Sequence, residues 1–206
     1  MFERLFVEYF DIQGGGVVSG EIVTSGNKNE ALPVIAAALL SSGTVVLDNV
    51  PDILDVRNML EIASSLGVSV TKITKNKIEI NAANLQRKPL DRDLCGKVRT
   101  SVLFAGPLLA RNGEVILPPP GGDVIGRRRL DTHFLGFKQL GADYTVEGEG
   151  YEIHAEKLVG ADIFLDEASV TGTENVVMAA VLAEGMTVIM NAATEPHVQG
   201  LCNFIN

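Results

Sequence analysis

Tryptophan is absent from the 206 residues and only 5% of them are aromatic. Base stacking on aromatic side chains is therefore a poor basis for function. The net charge of −9 argues further against a general nucleic-acid binder. Cysteine is scarce as well. Cys95 and Cys202 stand far apart with no CxxC, which gives neither a metal framework nor a disulfide scaffold and fits a reducing cytoplasm. No apolar run approaches the roughly 20 residues of a membrane span. The opening MFERLFVEYFDIQ is broken by Glu3, Arg4, Glu8 and Asp11, so no signal-peptide core is expected. What remains is an ordinary globular balance, 46% apolar and 21% charged, in a chain long enough to bury a core. These absences predict a cytoplasmic protein with no nucleic-acid partner, no membrane partner and no metal.

The chemistry that is present concentrates in residues 118–133, PPPGGDVIGRRRLDTH. Three prolines fix φ and remove amide donors, which excludes a helix interior or a central strand. Gly121 and Gly122 open backbone conformations closed to other residues. Asp123 follows at once, and Arg127, Arg128 and Arg129 lie shortly beyond it. A carboxyl group on a glycine-hinged loop beside three guanidiniums suits an anionic substrate with one proton to give or take. The same residues would also serve as a solvated surface loop.

The chain around that loop repeats one pattern three times. Residues 29–40 read as a helix with Pro33 in its first turn, and TVVL after Gly43 reads as a strand. Asp52 is placed to cap a helix over 53–66 that Gly67 stops, and VSVTKI and KIEINA form a hairpin turning at Lys75–Asn76. The second unit runs from Val98 through a helix over 130–140 to a hairpin in ADYTVEGEGYEIHA, and the third begins at Gly172. SSGTVVLDN, RNGEVILPP and AEGMTVIMN correspond, as do EIASSLGV and GFKQLGAD. The period of roughly 70 residues is too long for a solenoid and predicts a pseudo-threefold domain with helices inside and sheets outside. The third copy reaches Asn206 at the end of its second helix, so the repeat predicts about twenty further residues to finish the domain.

SGNKNEALP (25–33), GGDVIGRRRLDTH (121–133) and SVTGTENVVMAAVLAEG (169–185), in that order, resemble the UDP-N-acetylglucosamine 1-carboxyvinyltransferase family. The resemblance covers nearly all the chain after about Phe10, but only the N-terminal half of a family member. It implies an α/β fold, an inside-out α/β barrel (the enolpyruvyl transferase fold) of repeated βαβαββ units, here two complete and a third truncated. Residues 1–24 would be strands that complete the other domain, and 25–206 the N-terminal domain, unfinished at its C-terminus. The implied reaction moves an enolpyruvyl group from phosphoenolpyruvate to the 3-hydroxyl of UDP-N-acetylglucosamine, without a cofactor, as the first committed step of peptidoglycan synthesis. The partners implied are those two substrates and the missing C-terminal domain, and exposed interface predicts self-association.

By the same resemblance, Lys28 and Asn29 contact phosphoenolpyruvate. Arg99, Arg128, Leu130, Asp131, Ser169 and Val170 line the UDP-sugar site and cleft, and His133 matches a family histidine. Asp131 serves equally as a helix N-cap, and His133 as a helix-face residue. Asp123 stands where most members carry the cysteine that donates the proton and is alkylated by fosfomycin. Arg129 replaces a proline, Glu167 a lysine that often contacts nucleotide phosphates, and Leu103 an aromatic. The sister enzyme that makes 5-enolpyruvylshikimate 3-phosphate usually has Ser where this chain has Asn29, and lacks the GGDVIGRRRLD loop. A half-length module that binds ligand without catalysis is the alternative of a different class.

Overall fold

Helices occupy the middle of this molecule and sheets its outside, the reverse of the usual layering, because α1, α4 and α6 bury most of their residues while the strands keep an exposed face. The structure is a computed structural model that describes residues 10–122 and 129–206. The first unit comprises α1 (Lys28–Ala37), β1 (Thr44–Leu47), α2 (Leu54–Ser65), β2 (Ser69–Lys72) and β3 (Ile78–Asn81). The second has a short α3 (Arg92–Cys95), a 3-10 turn over Arg99–Phe104, α4 (Ala105–Asn112), β4 (Glu114–Leu117), α5 (Asp131–Gln139), β5 (Asp143–Glu147) and β6 (Gly150–His154). The third has β7 (Asp162–Phe164), α6 (Val170–Ala180), β8 (Val188–Met190) and α7 (Pro196–Ile205).

The repeat legible in the sequence is present in the sheets. β3 lies between β1 and β2, and β6 between β4 and β5, all antiparallel. Val45 and Val70 both face Ile80, as Val115 and Tyr144 both face Ile153. Ile78 and Ile80 point into the core while Glu79 and Asn81, alternating with them, do not, which is the period-two signature of a half-buried strand. Asn49 and Asn191, which end the corresponding segments SSGTVVLDN and AEGMTVIMN, both adopt φ 56°. That left-handed conformation is rare outside glycine, so its recurrence marks one turn used twice.

The core sits where α1 and α6 run through the centre. Leu32 to Ala37 of α1 are all buried, and α6 buries Gly172 to Val176, Met178 and Ala179. Helices approach this closely only over small residues. A Cβ on Gly106 of α4 would lie 2.5 Å from the Asn175 carbonyl oxygen, and one on Gly136 of α5 2.1 Å from a Val176 methyl. α5 is tied to its sheet by Phe134, stacked on Tyr144 at 4.5 Å between ring centroids and tilted against Tyr151.

Three local expectations are corrected. Pro33 is not in the first turn of α1 but inside the helix, because Asn27 caps the helix earlier, its side chain accepting from the Asn29 amide at 2.9 Å. The ring is buried there, and its missing N–H leaves the Asn29 carbonyl without a helical donor. Asp52 does not cap α2; its carboxylate takes Arg57 Nε at 2.8 Å and Lys72 Nζ at 3.5 Å. Asp131 lies in the first turn of α5, whose N-cap is Leu130. Residues 10–24 carry no strand or helix within this chain, and Phe10, Ile12, Val17, Val18, Ile22 and Val23 are exposed. The first unit therefore lacks an opening strand among the described residues. In the third unit β7 pairs with β8 in parallel, and no antiparallel hairpin joins them among the described residues.

Candidate functional site

Each of the three units starts its central helix at the same cleft. α1 begins at Lys28, the 3-10 turn leading into α4 begins at Arg99, and α6 begins at Val170. The unsatisfied amides of a helix start carry partial positive charge, so this pseudo-threefold convergence favours anions. The cleft encloses about 610 Å³, within the roughly 300–1,000 Å³ usual for small-molecule sites. Lys28, Lys97, Arg99 and Arg129 line it against two acidic side chains, Asp55 and Glu167. It is thus a net positive hollow in a chain of net charge −9, which focuses the field for an anionic ligand.

The individual side chains are held in different ways. Lys28 Nζ meets Asp55 Oδ2 at 2.9 Å, and both groups are open to solvent. Such a pair contributes little on its own, and the ammonium can exchange the carboxylate for a ligand anion. Ser169 caps α6 through its Oγ, which accepts from the Gly172 amide at 3.2 Å. Arg129 Nε donates to Asp131 Oδ2 at 2.6 Å, and Asp166 and Glu167 add to the negative field on the guanidinium. Asp166 in turn accepts from Thr132 Oγ1 at 2.6 Å.

The proline–glycine stretch approaches the cleft under tight constraint. The Gly121 amide donates to the Cys95 carbonyl at 2.9 Å and the Gly122 amide to the Gly96 carbonyl at 3.4 Å. A Cβ on Gly121 would lie 1.8 Å from the Gly96 carbonyl oxygen, so only glycine fits. Gly122, at φ 88°, packs against the Arg99 backbone. The chain is therefore pinned beside Arg99 immediately before Asp123. Asp123, Arg127 and Arg128 lie outside the described residues.

Of the residues singled out from the sequence, the fold gathers Lys28, Asn29, Arg99, Ser169 and Val170 into one cleft, across three separate motifs. Leu130 does not line it; the side chain is buried in the core. Asp131 is not a lining residue either, but it accepts a hydrogen bond from Arg129, which is one. Leu103 is wholly buried between the helices. Sequence reasoning missed Asp55, Lys97, Thr100 and Thr171. Thr171 sits inside the SVTGT motif, and Lys97 lies two residues before Arg99, so nearness to a motif was the available signal.

His133 lies on the buried face of α5. Its Nδ1 lies 2.8 Å from Asn175 Nδ2 and its Nε2 3.3 Å from Thr171 Oγ1. Burial, with the Arg99 charge nearby, depresses its pKa to about 4, so it is neutral at physiological pH.

A family model described as EPSP synthase (3-phosphoshikimate 1-carboxyvinyltransferase) matches residues 12–206. The curated UDP-N-acetylglucosamine 1-carboxyvinyltransferase of Treponema denticola is 56% identical over 195 residues, covering 95% of this chain and 46% of that protein. That of Bradyrhizobium diazoefficiens is 55% identical over 194 residues, covering 94% and 45%. This chain thus spans a little under half the length of these relatives. Among solved structures, the enolpyruvyl transferase NikO from Streptomyces tendae superposes with a TM-score of 0.80 at 22% identity, over 93% of this chain and 45% of that one. An EPSP synthase from Acinetobacter baumannii gives 0.71 at 19%, over 87% and 42%. At such identities the structural likeness speaks to the fold alone: this is the enolpyruvyl transferase fold.

Proposed function

The chain belongs to the EPSP synthase (3-phosphoshikimate 1-carboxyvinyltransferase) family, and we propose that it carries the N-terminal half of an active site transferring enolpyruvyl from phosphoenolpyruvate to the 3-hydroxyl of UDP-N-acetylglucosamine. The observation that carries this reading is the convergence of Lys28, Asn29, Arg99, Ser169 and Val170, drawn from three distant motifs, on one net positive cleft. The choice of acceptor rests on the relatives at 50–56% identity, which bear that enzyme's name. The shikimate-type acceptor has no comparable support.

In this mechanism the acid at Asp123 gives a proton to C3 of the enol while the sugar hydroxyl oxygen bonds to C2. The C2–O bond to phosphate then breaks, and C3 loses a proton to restore the double bond. Lys28, Arg99 and the starts of α1 and α6 hold the phosphate and carboxylate in place. A base for the sugar hydroxyl is assigned to the C-terminal half. The product feeds peptidoglycan synthesis in the cytoplasm, consistent with two free thiols, and the aspartate makes the enzyme insensitive to fosfomycin.

Two outcomes are expected of the purified 206-residue chain. It should release no phosphate from the two substrates, because no second domain closes over the cleft to exclude water and supply the base. Adding the C-terminal half of the Treponema denticola relative should restore release. Turnover by the chain alone, or failure of every complementing half, counts against the reading. The chain should also self-associate through residues 10–24 and the face bearing Phe164, Met186, Val188 and Met190, all exposed. Light scattering at tens of micromolar that finds only monomer would overturn this.

A further inference from the structure

Asn175 lies at the centre of the molecule with no exposed surface, and every polar contact it makes constrains the next. Its Oδ1 accepts from the Gly106 amide at 2.9 Å, which fixes which end of the side-chain amide is oxygen. Its Nδ2 donates to the Val102 carbonyl at 2.8 Å and faces His133 Nδ1 at the same distance. An amide nitrogen can only donate, so His133 Nδ1 is an unprotonated acceptor and the imidazole proton resides on Nε2. That proton is directed at Thr171 Oγ1, 3.3 Å away. The threonine oxygen is therefore the acceptor of this contact, and its own hydrogen is left to donate elsewhere. Thr171 lines the cleft that holds Lys28 and Arg99.

We infer that Thr171 is a ligand-binding residue whose hydroxyl donates to an anionic oxygen, phosphate or carboxylate, of the molecule in the cleft, and that His133 and Asn175 are the residues that orient it. A freely rotating hydroxyl would divide its time between donating and accepting. One that is held as an acceptor on its inner side presents a donor outward, and a preset donor to an anion costs little reorganisation on binding. The neutrality of His133 matters for the same reason. A protonated imidazole could not accept from Asn175, and the relay would break at that point. The line of contacts runs from the backbone of α4 through α6 and α5 to the cleft, so it joins the tightest helix packing in the molecule to the site.

The inference rests on the function proposed above, since it takes the ligand to be one of those two substrates. The test is made on the 206-residue chain with phosphoenolpyruvate and UDP-N-acetylglucosamine titrated separately, which distinguishes the two sources of the anionic oxygen. Thr171→Val should weaken one of them by about tenfold, the range of a hydrogen bond to a charged group. Thr171→Ser should stay within about twofold of the parent chain, and the two variants should share its urea midpoint. Nitrogen-15 NMR of the imidazole should find the proton of His133 on Nε2, with no titration near its ordinary pKa of about 6.5. Binding of both ligands by Thr171→Val at parental affinity overturns this inference alone, as does a proton on Nδ1. A parent chain that binds neither ligand overturns the proposed function along with it.

Discussion

Replacing Asp123 with asparagine should abolish turnover of the two-half enzyme, by at least about a thousandfold, while leaving UDP-sugar binding within a few-fold of the parent. Asparagine keeps the size and polarity of the side chain but has no proton to give to the enol carbon. On the proposed reading, opposing influences act on the proton affinity of the Asp123 carboxyl group. The arginines that follow it in sequence favour the carboxylate, whereas loss of water on closure favours the neutral acid. In the proposed role, the negative charges of phosphoenolpyruvate would offset those guanidiniums and so favour the acid form of the group. Asp123→Cys should retain turnover and acquire rapid inactivation by fosfomycin, because a thiolate opens the epoxide to a stable thioether. Phosphate release and mass spectrometry on both variants check this. Normal turnover by Asp123→Asn, or covalent inactivation of the parent by fosfomycin, would remove the proton-donor role.

What was legible in the sequence was whatever depends on neighbours along the chain. The strands in SSGTVVLDN and RNGEVILPP, the stop at Gly67 and the hairpin turning near Lys75–Asn76 all follow from residues a few positions apart. Pro33 was misplaced because the local rule puts proline in a first turn. The helix start is set instead by the Asn27 cap, and the buried stretch Leu32–Ala37 gains from an apolar ring even at the loss of one hydrogen bond. Asp52 precedes α2 as a capping carboxylate would, but the helix begins at Leu54 with Ile53 as its N-cap, and Asp52 pairs with Arg57 instead. The cleft was legible as a set of motifs but not as a geometry. Asp55 reaches Lys28 from 27 residues away, and His133, Thr171 and Asn175 come from two helices joined by a whole hairpin. No spacing in the sequence reveals such contacts: the packing of α1 beside α2 creates the first, and that of α5 on α6 over Gly136 the others.

The same buried polar groups should make stability fall as the pH rises above neutrality, in a way that one substitution removes. Glu174 on α6 is almost fully buried, and its Oε1 has no hydrogen-bond partner among the described residues. Burial, with the Glu195 carboxylate at the start of α7 adding to it, raises its pKa to about 8. In the folded chain Glu174 is thus protonated at neutral pH, whereas in the unfolded chain it ionises near its ordinary 4.5. Between those values the fold holds the extra proton, so this stabilisation is full below pH 4.5 and lost as the pH climbs through about 8. His133 acts oppositely. Its folded pKa of about 4 against an ordinary 6.5 means that its contribution is full above 6.5 and lost as the pH falls towards 4. The two oppose each other between 4.5 and 6.5, and Cys95, raised by burial from 9.0 to about 11, contributes its loss only above pH 9. The window from 6.5 to 8 therefore isolates Glu174, with an expected loss of about 2 kcal/mol at 1.36 kcal/mol per pH unit. Glu174→Gln has no ionisation to suppress, so its urea midpoint should be flat across that window while the parent's declines. Equal slopes for parent and variant would show that Glu174 is not held protonated between α6 and α7.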